Sequence, residues 1–249
     1  MTNSSPSSSS DPPISQAFAR LHPTIQRWIW DKGWHDLRTI QEQAAEPILL
    51  ESPDVIITAP TAGGKTEAAF LPILSKVAER PAAGVRVLYL SPLRALINDQ
   101  FDRLEDLGKR LDLPFHRWHG DVSSSSKHRV LADPAGVLLT TPESLEAMFV
   151  LRGSLVAQFF AGLTYVVVDE LHAFIGTERG TQLQSLLHRV ELAVGRRVPR
   201  IALSATLGDM RLAAQALRPN ESDRVRIVED KAECRVIKLR LRGFMEQFT

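Results

Sequence analysis

Apolar residues along this chain follow two rhythms. Near-continuous runs occupy Val55–Thr58, Val85–Leu90, Val137–Thr140, Leu163–Val168 and Ile201–Leu203, and a more mixed one occupies Phe115–His119. Short runs of this kind, bounded by Gly, Pro or Ser, predict buried strands. Between them the apolar positions recur at the helical period. Leu183, Leu186, Leu187 and Val190 predict a helix over 181–194. The same spacing predicts helices over 39–50, from Lys65 to about Arg80, from Ser91–Leu96 to about Leu111, over 123–131, from Leu145, and over 207–217. Upstream, Ile14, Phe18, Leu21, Ile25 and Ile29 suit short helices, with Pro23 near a helix start and Gly33 as the break. Val225–Val228 and Val236–Leu241 read as closing strands. Alternating helices and apolar strands predict an α/β fold, a mostly parallel sheet with helices on both faces. Ligands of such sheets bind at the carboxyl ends of the strands. The polar clusters of this sequence fall at those ends.

Composition narrows the class. The chain has 249 residues, 44% hydrophobic and 24% charged, which is ordinary for a soluble protein. The net charge of +1 announces no global basic field, though a local basic surface remains open. One cysteine, Cys234, excludes a disulfide framework and a cysteine-based metal site within one chain. No apolar stretch reaches the roughly 18–20 residues that span a bilayer, and no secretory signal pattern opens the chain. No membrane partner and a cytoplasmic location are the expectation. Residues 1–13, rich in serine, are expected to be a disordered tail. Trp28, Trp30 and Trp34 read as packing aromatics rather than a base-stacking platform.

Candidate chemistry starts at Ala59-Pro60-Thr61-Ala62-Gly63-Gly64-Lys65-Thr66, set between a predicted strand and a predicted helix. That context is what a phosphate-binding loop needs. Backbone N–H groups point at an anion, Lys65 adds a charge, and the Thr66 hydroxyl suits a magnesium ion between two phosphates. Asp169 and Glu170 leave the end of the fifth strand. Alone, the pair reads as a helix cap; downstream of a phosphate loop it reads as a metal ligand and a water-activating base. His172 reads equally as a surface histidine. On pattern, Ser204-Ala205-Thr206 is a helix cap, or two hydroxyls placed between a nucleotide and a second domain.

Ser91-Pro92-Leu93-Arg94 and Thr141-Pro142-Glu143-Ser144 are strand-to-helix turns. With His119-Gly120 they suit a nucleic-acid backbone bound without base readout. Singly, each is a turn. Gln41 has an amide suited to an adenine edge, or is a solvated helix glutamine.

In this order the segments resemble the motifs of superfamily 2 helicases and translocases. Gln41 resembles the Q motif and Ala59–Thr66 motif I, which in this superfamily commonly opens with Ala. Ser91–Leu96 looks like motif Ia, Thr140–Ser144 like motif Ib, Asp169–His172 like motif II (a DExH box), and Ser204–Thr206 like motif III. The match spans about residues 24–210. Ala173–Gly180, with its Arg179-Gly180 pair, looks most like the Lhr-type (large helicase-related) branch. Arg38, where many relatives carry proline, and Ala62-Gly63 depart from the pattern.

The resemblance implies a RecA-like P-loop NTPase domain that uses ATP and Mg2+. It implies Lys65, Asp169 and Glu170 as catalytic residues, and Gln41, Thr61, Ala62, Gly63, Gly64, Lys65 and Thr66 around the nucleotide. Thr66 and Asp169 face the metal. Ser91, Pro92, Arg94, His119, Gly120, Thr141, Pro142 and Glu143 face DNA or RNA, as a single strand or tailed duplex. His172, Ser204, Ala205 and Thr206 couple the two sites. A second RecA-like domain, in cis or in trans, is expected to supply motifs IV–VI and an arginine finger. Residues 14–225 are then the ATP-binding domain, and 226–249 are closing strands and a linker. Arg94 and Arg179 are read as serving nucleic acid or packing rather than the γ-phosphate. The rival reading is a non-motor ATP-dependent switch or scaffold acting on a partner protein. A small-molecule kinase fits poorly, because no lid or acceptor pocket is visible.

Overall fold

A computed structural model describes residues 15–50, 54–60, 63–205 and 208–230. Its strands are β1 (Val55–Thr58), β2 (Val87–Leu90), β3 (Phe115–Trp118), β4 (Val137–Thr140), β5 (Tyr165–Val168), β6 (Arg200–Ser204) and β7 (Arg226–Glu229). All pair in parallel, in the order β3-β4-β2-β5-β6-β1-β7. The helices are α1 (Gln16–Ala19), α2 (Pro23–Asp31), α3 (Thr39–Leu49), α4 (Lys65–Glu79), α5 (Arg94–Arg110), α6 (Ser124–Ala132), α7 (Pro142–Phe159), α8 (Glu178–Val194) and α9 (Met210–Leu217).

The strand alternation explains the three layers. Val55, Ile57, Val87, Tyr89, Val167 and Leu203 face one core with α2 to α5. Their neighbours Ile56, Leu88, Leu90, Val166, Val168 and Ala202 face the other with α6 to α9. Because both faces are covered, the strands read as continuous apolar runs rather than alternating ones. Each fully buried side chain of this size contributes about 1.5–3 kcal/mol.

Helix starts follow caps rather than apolar spacing. The helix expected from Leu145 begins at Pro142, because the Thr141 hydroxyl accepts from Ser144 N at 3.3 Å and proline suits the first helical position. The helix expected from Thr181 begins at Glu178, where Thr177 caps Gly180 N at 3.1 Å. Trp28 packs edge-on against Trp34, with ring centroids 5.5 Å apart. Trp30 does not pack: it is 66% exposed, on the outer side of α2. The expected closing strand at 225–228 is β7, beside β1. The expected strand at 236–241 and the tail at 1–13 lie outside the described residues. Among the described residues, no helix is long and apolar enough to cross a membrane.

At the amino ends of β1 and β6 sits a buried ion cluster. Asp54 accepts from Arg218 Nε at 2.6 Å, from Arg197 at 2.8 Å and from the backbone N–H of Arg200 at 2.8 Å. Glu191 of α8 accepts from Arg218 at 2.8 Å and from Arg200 at 2.7 Å. Burial lowers the pKa of Arg200 to about 10; the Arg218 charge adds to the drop, and Glu191 and Asp54 oppose it. The cluster ties α8 and α9 to the sheet.

Candidate functional site

β1 runs into the segment expected to bind phosphate, and its turn is tight. Gly63 N donates to Pro60 O at 3.0 Å, and a Cβ on Gly63 would meet that oxygen at 2.9 Å. Gly64 adopts φ 85°, a left-handed conformation that glycine tolerates, and caps α4. Lys65 opens α4, with Nζ donating to Ala59 O at 2.7 Å and Pro60 O at 3.2 Å. Burial lowers its pKa, opposed by the charges of Glu170 and Asp169. Thr66 is buried beside it. Thr61, Ala62 and Thr206 lie outside the described residues.

Asp169 follows β5 and is buried. Its backbone N–H donates to Leu90 O at 2.8 Å, which locks it onto the end of β2. Its Oδ1 accepts from Glu170 N at 3.0 Å, and its Oδ2 accepts from the Tyr89 hydroxyl. Burial raises its pKa, against the Tyr89 bond and with the Glu170 charge. Glu170 adopts φ 47°, ψ 46°, left-handed and unusual for a residue with a Cβ. His172 Nδ1 lies 3.2 Å from Glu170 Oε2 and 3.3 Å from Ala205 N. One ring nitrogen serves one of these at a time: it accepts from Ala205 or donates to Glu170. Thr58 Oγ1 donates to Ala205 O at 3.1 Å, and Ser204 Oγ is buried with no hydrogen-bond partner among the described residues. The ends of β1, β5 and β6 thus bring the loop, the acidic pair and Ser204-Ala205 together.

Gln41 flanks the loop from α3. Its Oε1 accepts from Arg38 N at 3.0 Å, and its Nε2 lies 3.0 Å from where a Gly64 Cβ would be. Trp34, Asp36, Arg38, Gln41, Gly64 and Glu67 line a cavity of about 460 Å³ there. Glu67, buried, pairs with Arg103 of α5 at its rim.

A second group gathers further along the same edge of the sheet. Arg94, at the start of α5, lies over Gly120 and pairs with Asp121 at 2.8 Å. His119 is buried, with Nε2 3.3 Å from Asn98 Oδ1. Ser91 and Thr141 are buried at the ends of β2 and β4. Arg179 spans the turns: it pairs with Glu143 at 2.7 Å, donates to Pro92 O at 3.0 Å, and stacks 5.5 Å from the Phe174 ring. A Cβ on Gly180 would sit 2.0 Å from Phe174 O, so only glycine fits after Arg179. Tyr89 went unnoticed in the sequence. Its signal was a single hydroxyl inside an otherwise apolar strand.

The DEAD/DEAH box helicase family model matches residues 38–213. The chain is 32% identical over 213 residues to the ATP-dependent helicase Lhr-Core of Methanothermobacter thermautotrophicus, which covers 79% of this chain and 24% of that relative. It therefore spans about a quarter of the length of that protein. The structure of the Mycobacterium smegmatis helicase Lhr bound to single-stranded DNA and AMP-PNP superimposes with a TM-score of 0.74 at 29% identity. That match covers 86% of this chain and 28% of the other. The DUF1998 helicase MrfA bound to DNA shares the fold, with a TM-score of 0.74 at 24% identity over 88% of this chain and 30% of that one.

Proposed function

The chain belongs to the DEAD/DEAH box helicase family and has the RecA-like fold of its Lhr-type members, and from that premise we propose that it is the first motor domain of a superfamily 2 DNA or RNA helicase. It binds ATP with Mg2+ and a nucleic-acid backbone, and a second RecA-like domain, in cis or in trans, completes the ATP site. The observation that carries this reading is that Lys65, after β1, and Asp169-Glu170, after β5, stand at the carboxyl ends of the two strands that flank β6, beside the cavity under Gln41.

In this reading Gln41 meets the adenine edge. The N–H groups at the start of α4 and the Lys65 ammonium take the phosphates, with Lys65 exchanging the Ala59 and Pro60 carbonyls for phosphate oxygens. One carboxylate and one hydroxyl, Asp169 and Thr66, are the hard oxygen donors that suit a hydrated magnesium ion. That ion supplies charge neutralisation on the phosphates. Glu170 orients and deprotonates the attacking water. His172 alternates between Glu170 and Ala205 N, so the state of the water site reaches the Ser204-Ala205 strand end. Ser91–Arg94, His119-Gly120 and Thr141–Glu143 take backbone phosphates, and Arg179 holds two of those turns in register.

The test is Glu170→Gln in the chain joined to its second domain. ATP and Mg2+ should still bind, and turnover should fall by about 10²–10⁴, the usual contribution of a general base. Unchanged turnover would overturn the assignment.

A further inference from the structure

We propose that Tyr89 is a positioning residue for Asp169, a step that rests on the metal role given to Asp169 above. β2 carries one polar side-chain atom, the Tyr89 hydroxyl, among Val87, Leu88 and Leu90. The residue is fully buried. Phenylalanine would fill such a place without bringing a hydroxyl into the core, where a polar group needs a partner. The partner here is Asp169 Oδ2.

The register explains the reach. Tyr89 sits opposite Val167, and Leu90 opposite Val168, on the neighbouring strand. The phenol extends along the sheet face to the carboxylate that follows β5. Its ring rests on Phe70 of α4, with centroids 5.9 Å apart, and α4 begins at Lys65. The phenol is therefore a rigid strut between the phosphate-loop helix and the DExH aspartate. With Glu170 N on Oδ1 and Tyr89 on Oδ2, both oxygens of Asp169 are held. An ionised carboxylate has about four acceptor positions, so free lone pairs remain, now aimed in a fixed direction. Partners that orient a metal-facing group in this way typically change metal affinity by about tenfold to hundredfold when removed.

The experiment compares Tyr89→Phe, Asp169→Asn and the double variant of the whole chain. Binding of Mn2+, as a spectroscopic stand-in for Mg2+, is measured in the presence of ATP, and ATP binding is measured separately in a chelator. Tyr89→Phe should weaken Mn2+ binding about tenfold or more and leave metal-free ATP affinity unchanged. In the Asp169→Asn background, Tyr89→Phe should change Mn2+ binding no further. Thermal unfolding with and without Mn2+ separates packing from positioning, since a packing loss lowers both midpoints equally. If Asp169→Asn weakens Mn2+ binding and Tyr89→Phe does not, the strut is overturned alone. If neither does, the metal role of Asp169 falls, and the strut with it.

Discussion

The two ends of the sheet both collect charged side chains, and they treat them oppositely. At the amino ends, buried Asp54, Arg200 and Arg218 and half-buried Glu191 are mutually paired: each charge meets an opposite one, and the backbone N–H groups of Arg200 and Val198 also donate to the two carboxylates. At the carboxyl ends, Lys65 rests on carbonyls, Glu170 sits in a left-handed backbone, His172 has two exclusive partners and Ser204 Oγ has none among the described residues. A paired cluster holds elements together. A left-handed residue with a Cβ and buried polar atoms without partners are features that ligand sites tend to collect. Charge and burial alone do not distinguish a brace from a site; the completeness of the partners does.

The largest expected effect breaks the brace. Arg218→Ala takes one of two cations from buried Asp54 and from half-buried Glu191, leaving them Arg197 and Arg200, and costs about 3 kcal/mol, the low end for a broken buried pair. Denaturant unfolding should show that loss, while ATP affinity per folded molecule stays the same.

Lys65→Ala should do the reverse. Loss of charge-assisted bonds worth about 1.5–3 kcal/mol weakens ATP binding by roughly tenfold to hundredfold. The unfolding midpoint should stay in place, since Lys65 braces only its own loop.

Glu170→Gly sharpens the contrast further. A left-handed residue with a Cβ carries about 1–2 kcal/mol of strain, and the freedom of glycine in the unfolded chain returns about 0.5–1 kcal/mol of it. The variant should gain up to about 1 kcal/mol of stability in denaturant titration and lose hydrolysis. A clear destabilisation would show that the glutamate is structural.

The smallest effect is in acid. Burial would raise the pKa of Glu191, but the N–H of Val198 and the guanidinium groups of Arg218 and Arg200 hold it below its ordinary 4.5. A lowered carboxyl pKa gives stability that is full above 4.5 and is lost as the pH falls through the folded value. Glu191→Gln should flatten the acid limb of the stability curve over that window. An unaltered limb would place the acid sensitivity elsewhere.

The sequence made one of these ends legible and hid the other. The loop, Asp169-Glu170 and Ser204-Ala205 are contiguous motifs at strand ends, where the chain must leave the sheet, so local pattern finds them. Asp54 and Arg218 are separated by 164 residues, and nothing near either names the other. Tyr89 and Asp169 are 80 apart, and their meeting depends on strand order, which apolar runs do not encode. The seven strands were visible as runs, but Trp30 and the starts of α7 and α8 were not. Exposure on α2 and hydroxyl caps decided them.

Strand order also sets a timetable for synthesis. β1 is flanked by β6 and β7, so the strand feeding the phosphate loop is made early and paired late: Thr58 waits for Ala205, 147 residues downstream. At about 5–20 residues per second a ribosome needs roughly 7–30 s to deliver that partner. Through that interval Val55-Ile56-Ile57 is an apolar segment without its neighbours. The nascent chain is most exposed to chaperone capture and misassociation over this interval, and the strand end that carries Ala59 to Lys65 is among the last parts to be paired.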